Sequence, residues 1–422
     1  MTVKRPITTM KHASHSYWVF LSGLAATAST YAQVDDAADV LAGRDSVPVL
    51  LATDDAEKDD VLNIDTQQRF DDWKESVKQH TGLDFGFDYA GLGLRADESL
   101  GKESAGSGSI RFFGSWALIN TEGPNTGSLV FKVENRHAYG SVTPQDFGTE
   151  VGYIGLPGSV YTDQQWRGTH VYWQQDFCNG RGVSYVGWLD ITDYADVYAM
   201  ASPWTGFANI AFETGSGTYG AYPDGALGVM VGGFFTDHVY GIASIVDGNG
   251  DPTDLFKGFD SFFGDFDTLK IIELGYTSGP KRLFMDNAHI TLWHIDEIES
   301  ANNGYGVSVS FSKAIANAWM PFFRAGWARD GGSLYETAVS TGIGYTTDPG
   351  RNLLGVALNW NRPSEDTFGV KLDDQYLVEV FQRWQITEGL QLTPSLQLMQ
   401  KPALNPDTDS IWVLGLRMRF AL

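Results

Sequence analysis

Ile411-Trp412-Val413-Leu414-Gly415-Leu416-Arg417-Met418-Arg419-Phe420-Ala421-Leu422 ends the chain with a period of two. Trp412, Leu414, Leu416, Met418, Phe420 and Leu422 share one face, while Gly415, Arg417 and Arg419 lie on the other with Ile411 and Val413. Successive side chains of a strand point to opposite sides, so this is one β-strand with an apolar and a mixed face. A water-soluble sandwich would bury the apolar face and expose the arginines. A membrane barrel would reverse the assignment, with arginines in a watery lumen and leucines in lipid. One strand does not separate the two.

The same pattern recurs upstream. Leu390, Leu392, Leu396 and Leu398 alternate with Gln391, Thr393, Ser395 and Gln397. Leu354, Val356, Leu358 and Trp360 alternate with Gly355, Ala357 and Asn359, and Ala288, Ile290 and Leu292 with Asn287, His289 and Thr291. In strand after strand one face is apolar and the other small or hydrogen-bonding. Tyr345, Trp360, Trp384 and Trp412 fall near strand ends, where interfacial aromatics of a barrel sit. At roughly 20 residues per strand and connection, residues 83–422 hold about 16 strands, an even number as single-chain bacterial barrels require. The expected fold is an all-β, transmembrane antiparallel β-barrel of about 16 strands with a short N-terminal amphipathic helix.

Composition agrees. Of 422 residues 48 are Gly, aromatics make up 13%, and charged residues only 19%, a bias toward strands and turns. The formal charge of -23 repels phosphate backbones, which argues against a nucleic-acid partner. The single cysteine, Cys178, excludes an intrachain disulfide and a thiolate metal site.

Before the barrel, Lys4, Arg5 and Lys11 precede the apolar run Tyr17–Ala28 and small residues up to Ala32. This is the order of a secretory signal peptide, expected to span 1–32 and to be cleaved after Ala32. Residues 33–62, rich in Asp and poor in aromatics, read as a flexible acidic lead-in. Residues 63–82 read as a short helix, with Phe70, Trp73 and Val77 on one stripe and Gly82 at its end.

With the apolar faces outward, the opposite faces name the lumen. Lys132, Glu134 and Arg136 share a face of Leu129–His137, a basic–acidic–basic ladder that belongs in water. Arg111 and Arg324 point inward by the same logic. These groups supply donors and an acceptor for sugar hydroxyls. Trp166, Tyr172, Trp173 and Trp188 are candidate stacking faces for pyranose rings. Asp247-Gly248-Asn249-Gly250-Asp251 resembles the start of a calcium loop but has Pro252 at position six and Gly258 at position twelve. Asp247, Asn249 and Asp251 therefore stand only as a weak Ca²⁺ candidate, and no cofactor is expected. No nucleophile elbow, zinc-protease or Ser-x-x-Lys motif is present, so the chain is not read as an enzyme.

Several segments together resemble the carbohydrate-selective porins of the OprB type, from the outer membrane of Gram-negative bacteria. They are Trp73-Lys74-Glu75-Ser76, Gly127–His137, Tyr172-Trp173-Gln174-Gln175, Val186–Asp196, Pro203–Asn209, Val246–Pro252 and Trp412–Arg419. The resemblance implies a 16-stranded barrel in outer-membrane lipid, with loops folded inward to narrow the pore, either a monomer or a homotrimer. It also implies passive diffusion of glucose and related sugars; the reading of the lumen faces puts the constriction at Arg111, Lys132, Glu134 and Arg136 together with Trp166, Trp173 and Trp188. A general diffusion porin without a sugar site and a secreted carbohydrate-binding β-protein are the alternatives.

Overall fold

The computed structural model describes residues 41–56, 61–62, 68–121, 123–316, 318–346 and 352–422. The signal segment 1–32 expected from the sequence lies outside the described residues.

Sixteen strands follow one another around a closed barrel. In chain order they are β1 (Leu83–Ala96), β2 (Ser104–Ile119), β3 (Gly127–Ala138), β4 (Gln165–Phe177), β5 (Gly182–Leu189), β6 (Ala226–Phe234), β7 (Val239–Asp247) and β8 (Thr268–Thr277). They continue as β9 (Asn287–Ile295), β10 (Gly304–Ser312), β11 (Trp319–Asp330), β12 (Tyr335–Thr346), β13 (Asn352–Pro363), β14 (Gln375–Gln385), β15 (Leu390–Gln400) and β16 (Ser410–Ala421). Each pairs antiparallel with its sequence neighbours, and β1 pairs with β16 to close the ring, so no strand edge is left unpaired. No helix among the described residues is long and apolar enough to cross a membrane; a barrel crosses with strands.

The two rims differ. One carries short turns such as 178–181, 235–238 and 386–389, while the other carries the long connections 139–164, 190–225 and 248–267. This asymmetry is that of outer-membrane barrels, whose long loops face outward from the cell. The faces fall as the alternation predicts. Leu414, Leu416, Leu358 and Leu292 are exposed on the outer wall, whereas Arg417, Arg419, Asn359 and Thr291 are buried inside. Aromatics ring both rims on the outside: Trp116, Trp319 and Trp384 at the short turns, Tyr305, Trp327 and Trp412 at the long loops.

The N-terminal region departs from expectation. Residues 41–56 are not a solvated lead-in. They enter the lumen, where α1 (Val47–Asp55) packs along β1–β3 with Val47, Val49, Leu50 and Leu51 buried. The acidic residues that suggested solvation are partnered: Asp54 pairs with Arg419 at 2.6 Å and Asp55 with Lys74 at 2.7 Å. The expected helix is α2 (Gln68–Thr81), ended by Gly82 at φ +75°. Its stripe does not turn to a core. Lys74 is its buried residue, and Trp73 meets Phe85 on the outer wall at 5.5 Å between ring centroids.

Candidate functional site: the lumen constriction

The connection 190–225, between β5 and β6, folds into the barrel and is tied to most of its circumference. Asp190 caps a turn of 3₁₀ helix, Ile191–Asp193, by accepting from Thr192 N–H. That turn aims Asp193 at β3 and β4, where it receives Lys132 Nζ at 2.6 Å and His170 Nε2 at 2.8 Å. Asp196, at φ +57°, is wholly buried between Arg324 of β11 and His289 of β9. Arg417 of β16 donates to the carbonyls of Pro203 and Gly206 at 2.6 and 2.8 Å. Glu379 of β14 accepts the backbone N–H groups of Ala208 and Asn209, and Ser340 of β12 donates to Ala211 O. Asp224 closes the circuit against Arg136 at 2.8 Å and against Arg167. Three loop carboxylates, Asp193, Asp196 and Asp224, thus land on cations of the wall.

Above this layer, toward the long loops, lies a cavity of about 600 Å³ lined by Lys132, Glu134, Arg136, Asp190, Asp193, Trp204, Tyr219, Tyr222 and Asp224, a volume within the usual range for small-molecule sites. Glu134 accepts from Arg136 Nε at 2.7 Å. Trp204 lies flat over the Arg111 guanidinium, 4.0 Å from its carbon to the ring centroid, with that of Arg136 at 5.7 Å.

The four polar residues expected at the constriction all face the lumen, and three of them line the cavity. Arg111 sits one layer deeper, beneath Trp204, bonded to Asp88 at 2.8 Å. The three tryptophans are corrected. Trp166 is 65% exposed on the outer wall, opposite Asn135. Trp173 pairs with Leu129 and Val186, also outward. Trp188 stands opposite the outward Val171 and is covered from outside by Leu227 and Phe262. For the two on β4 the cause is register: β4 carries a bulge opposite Lys132/Val133, which puts Arg167 and His170 on the lumen side and both Trp166 and Trp173 outside. Tyr172 does point inward but is packed, with its hydroxyl 2.6 Å from that of Tyr194. The aromatic faces actually at the cavity are Trp204, Tyr219 and Tyr222. Pro203-Trp204 could have been singled out as a tryptophan in a polar loop, but periodicity says nothing about where a loop folds.

At the candidate Ca²⁺ loop the oxygens are used locally. Asp247 accepts from Asn249 N–H and Ser261 Oγ, Asn249 from Glu299 N–H, and Asp251 from both Thr253 N–H and Oγ1. Among the described residues no group of three or more acidic, His or Cys side chains is placed to hold a metal ion.

Asp190 of the loop and Asp45 of the N-terminal segment carry raised pKa values. Burial, with Asp193 and Asp224 close by, raises Asp190 to about 7, and burial with Asp193 raises Asp45 to about 6. For Asp193 burial alone would do the same, but Lys132 and then His170 hold it below the usual carboxylate range. Raised acids favour the folded loop most below their ordinary pKa, and that contribution fades as pH climbs through 6 and 7. The same ionisations add negative charge to the lumen. The reversal potential in a KCl gradient should therefore shift toward cation preference between pH 5.5 and 8, from roughly half a unit below the lower of those pKa values to about one unit above the upper. Asp190→Asn should remove the upper part of that shift; a flat profile in the parent would contradict the assignment.

Comparison with known proteins places this architecture. The family of carbohydrate-selective porins, OprB, matches residues 276–422, from the end of β8 to the last strand. That match spans about the last third of the chain, which is similar to the carbohydrate-selective family. Pseudomonas putida OprB in its high-pH structure is similar to this chain with a TM-score of 0.69, covering 83% of this chain and 97% of that one at 14% identity. The low-pH structure of the same protein gives a TM-score of 0.50 at 12% identity, over 87% and 100%. At such identities the likeness speaks for the fold. No curated protein matches the chain by sequence.

Proposed function

We propose that this porin carries sugars passively across the bacterial outer membrane, selecting them at the cavity between Trp204 and the Lys132–Glu134–Arg136 ladder. The observation that supports this reading is the pairing of charge. Lys132 is neutralised by Asp193, and Arg136 by Glu134 and Asp224, so the cavity offers many hydrogen-bonding groups beside an aromatic face and little uncompensated charge. Such a surface suits a neutral, hydroxyl-rich solute better than an ion. Binding has to stay weak, because a solute held tightly blocks its own passage.

The test is reconstitution of the mature protein into planar bilayers, with conductance recorded at rising glucose or maltooligosaccharide. Stepwise channels that sugar partly closes are expected. Channels indifferent to sugar would indicate a general diffusion porin, and folded protein that forms no channel would point to a soluble β-protein. Trp204→Ala should raise the half-blocking sugar concentration roughly five- to tenfold, the equivalent of about 1–1.4 kcal/mol of lost ring contact. Glu134→Ala or Arg136→Ala should also weaken block while the barrel keeps its resistance to cold SDS. Unchanged block in all three would discard this constriction. Export by a signal peptide cleaved after Ala32 belongs to the same proposal, and the N-terminal mass of protein recovered from outer membranes tests it.

A further inference from the structure

The long connection 248–267 carries nine consecutive helical residues, 257–265, α-helical to Asp260 and wider-wound beyond it. This segment lies on the outside of the barrel. Leu255 and Phe262 cover the outward-facing Trp188 and Leu227 near the long-loop ends of β5 and β6. Gly258 is seated against the Trp188 ring so closely that a β-carbon there would collide with it. Beside this contact stripe runs a second one, Phe256, Phe259, Phe263 and Phe266, at 84%, 50%, 71% and 53% exposure. Polar residues of the segment turn to the protein's own loops: Lys257 pairs with Glu299 and Ser261 donates to Asp247. Asp260 and Asp265 remain exposed. The segment is thus amphipathic, with a broad apolar half that the barrel covers only in part.

What covers the rest follows from the strands beneath. β5 has eight residues and β6 nine, against 12 in β3 and 13 in β4. A strand needs about 9–11 residues to cross the hydrocarbon layer. On β5 and β6 the exposed apolar wall ends at Val186 and Val229, and the phenylalanine stripe starts where it stops. We propose that residues 255–266 form a helical finger embedded among the acyl chains of the membrane leaflet on the long-loop side. There the finger completes the lipid-facing band where β5, at eight residues, falls short of that length and β6, at nine, only just reaches it. Its polar half lies toward the headgroups, the posture of an interfacial helix.

The proposal rests on the porin being a membrane barrel, and the experiment keeps the two apart. In a Cys178→Ser background, Phe263→Cys, Phe256→Cys, the wall position Leu414→Cys and the loop position Glu98→Cys are each labelled with a nitroxide. The labelled porins are reconstituted in dioleoylphosphatidylcholine vesicles. Collision with oxygen is compared with collision with a water-soluble nickel complex. The expected result is an oxygen-dominated ratio at 263 and 256 equal in sign to that at 414 and opposite to that at 98. Nickel-dominated collision at 263 and 256 with an oxygen-dominated 414 overturns the finger and leaves the barrel reading intact. Nickel-dominated collision at 414 as well overturns both. Shielding of 263 from both reagents, with dipolar broadening between labels, assigns the stripe to a second copy of the chain and also overturns the proposal. Two finger positions guard against a single variant that disturbs the segment.

Discussion

Deleting residues 41–56 should leave a barrel whose single-channel conductance is severalfold higher than that of the intact protein. The segment lies in the lumen on the short-turn side of the constriction, along β1–β3. Gly43 donates to Asp193 O, and Asp45 accepts from Ser202 Oγ, so the segment braces loop 190–225 from below. Its four buried aliphatics, Val47, Val49, Leu50 and Leu51, each contribute roughly 1.5–3 kcal/mol of burial, and the ion pairs of Asp54 with Arg419 and Asp55 with Lys74 tie its end to the barrel and to α2. Once it is gone, water fills the space. Arg419 keeps Asp88 at 2.6 Å, so the wall is not left with a bare cation. Recordings in planar bilayers decide the matter. Equal conductance with and without the segment would mean that the ions take a path it does not touch.

Asp196→Ala should have the second large effect, on the loop and not on the barrel. The carboxylate is the shared partner of Arg324 and His289, and it also accepts from Ser308 Oγ. Removing it strands Arg324 in the interior, 4.4 Å above the Tyr198 ring, and breaking one side of a buried pair costs about 3–5 kcal/mol. Loop 190–225 is the part that can move to relieve this. Noisy, enlarged openings, loss of sugar block and new protease cleavage within 190–225 are expected, with the barrel still resistant to cold SDS. Adding Arg324→Ala should recover much of the quiet channel, because the pair then disappears together. If the double variant is as disturbed as the single one, the carboxylate does more than neutralise Arg324.

How far the sequence carries depends on which signal each residue sends. Strand faces are legible because alternation survives wherever register is regular: Arg417 and Arg419 against Leu414 and Leu416 point as they must. Arg111, Lys132, Glu134 and Arg136 were legible for the same reason. Trp166, Trp173 and Trp188 were not. One extra residue in β4 shifts the parity between Arg167 and His170, so that Trp166 and Trp173 share the outer face, and a bulge leaves no mark in the pattern of a single strand; Trp188, on β5, faces outward with Val171 in regular register. Trp204 was hidden in a loop, where no period assigns a direction. Residues 41–56 misled through their charges. Asp54 and Asp55 look like solvated acids until the partners that neutralise them, Arg419 and Lys74, are brought over by the fold. A surplus of acid in loops and lead-in, set against arginines in strands, is one complementary system split along the chain.

The Asp88 cluster gives that system a temporal side. Asp88 stands on the first strand, Arg111 on the second and Arg419 on the last, and Asp54 reaches them from the segment ahead of the barrel. The ring is sealed by joining β1 to β16, the two strands farthest apart in the chain, and contacts of such long sequence separation form slowly. If β16 docks before the N-terminal segment has entered, Arg419 is enclosed with only the carboxylate that Arg111 already shares. Sealing is most favourable when the segment is already inside. The clasp therefore favours the barrel that closes with its contents loaded over the one that closes empty.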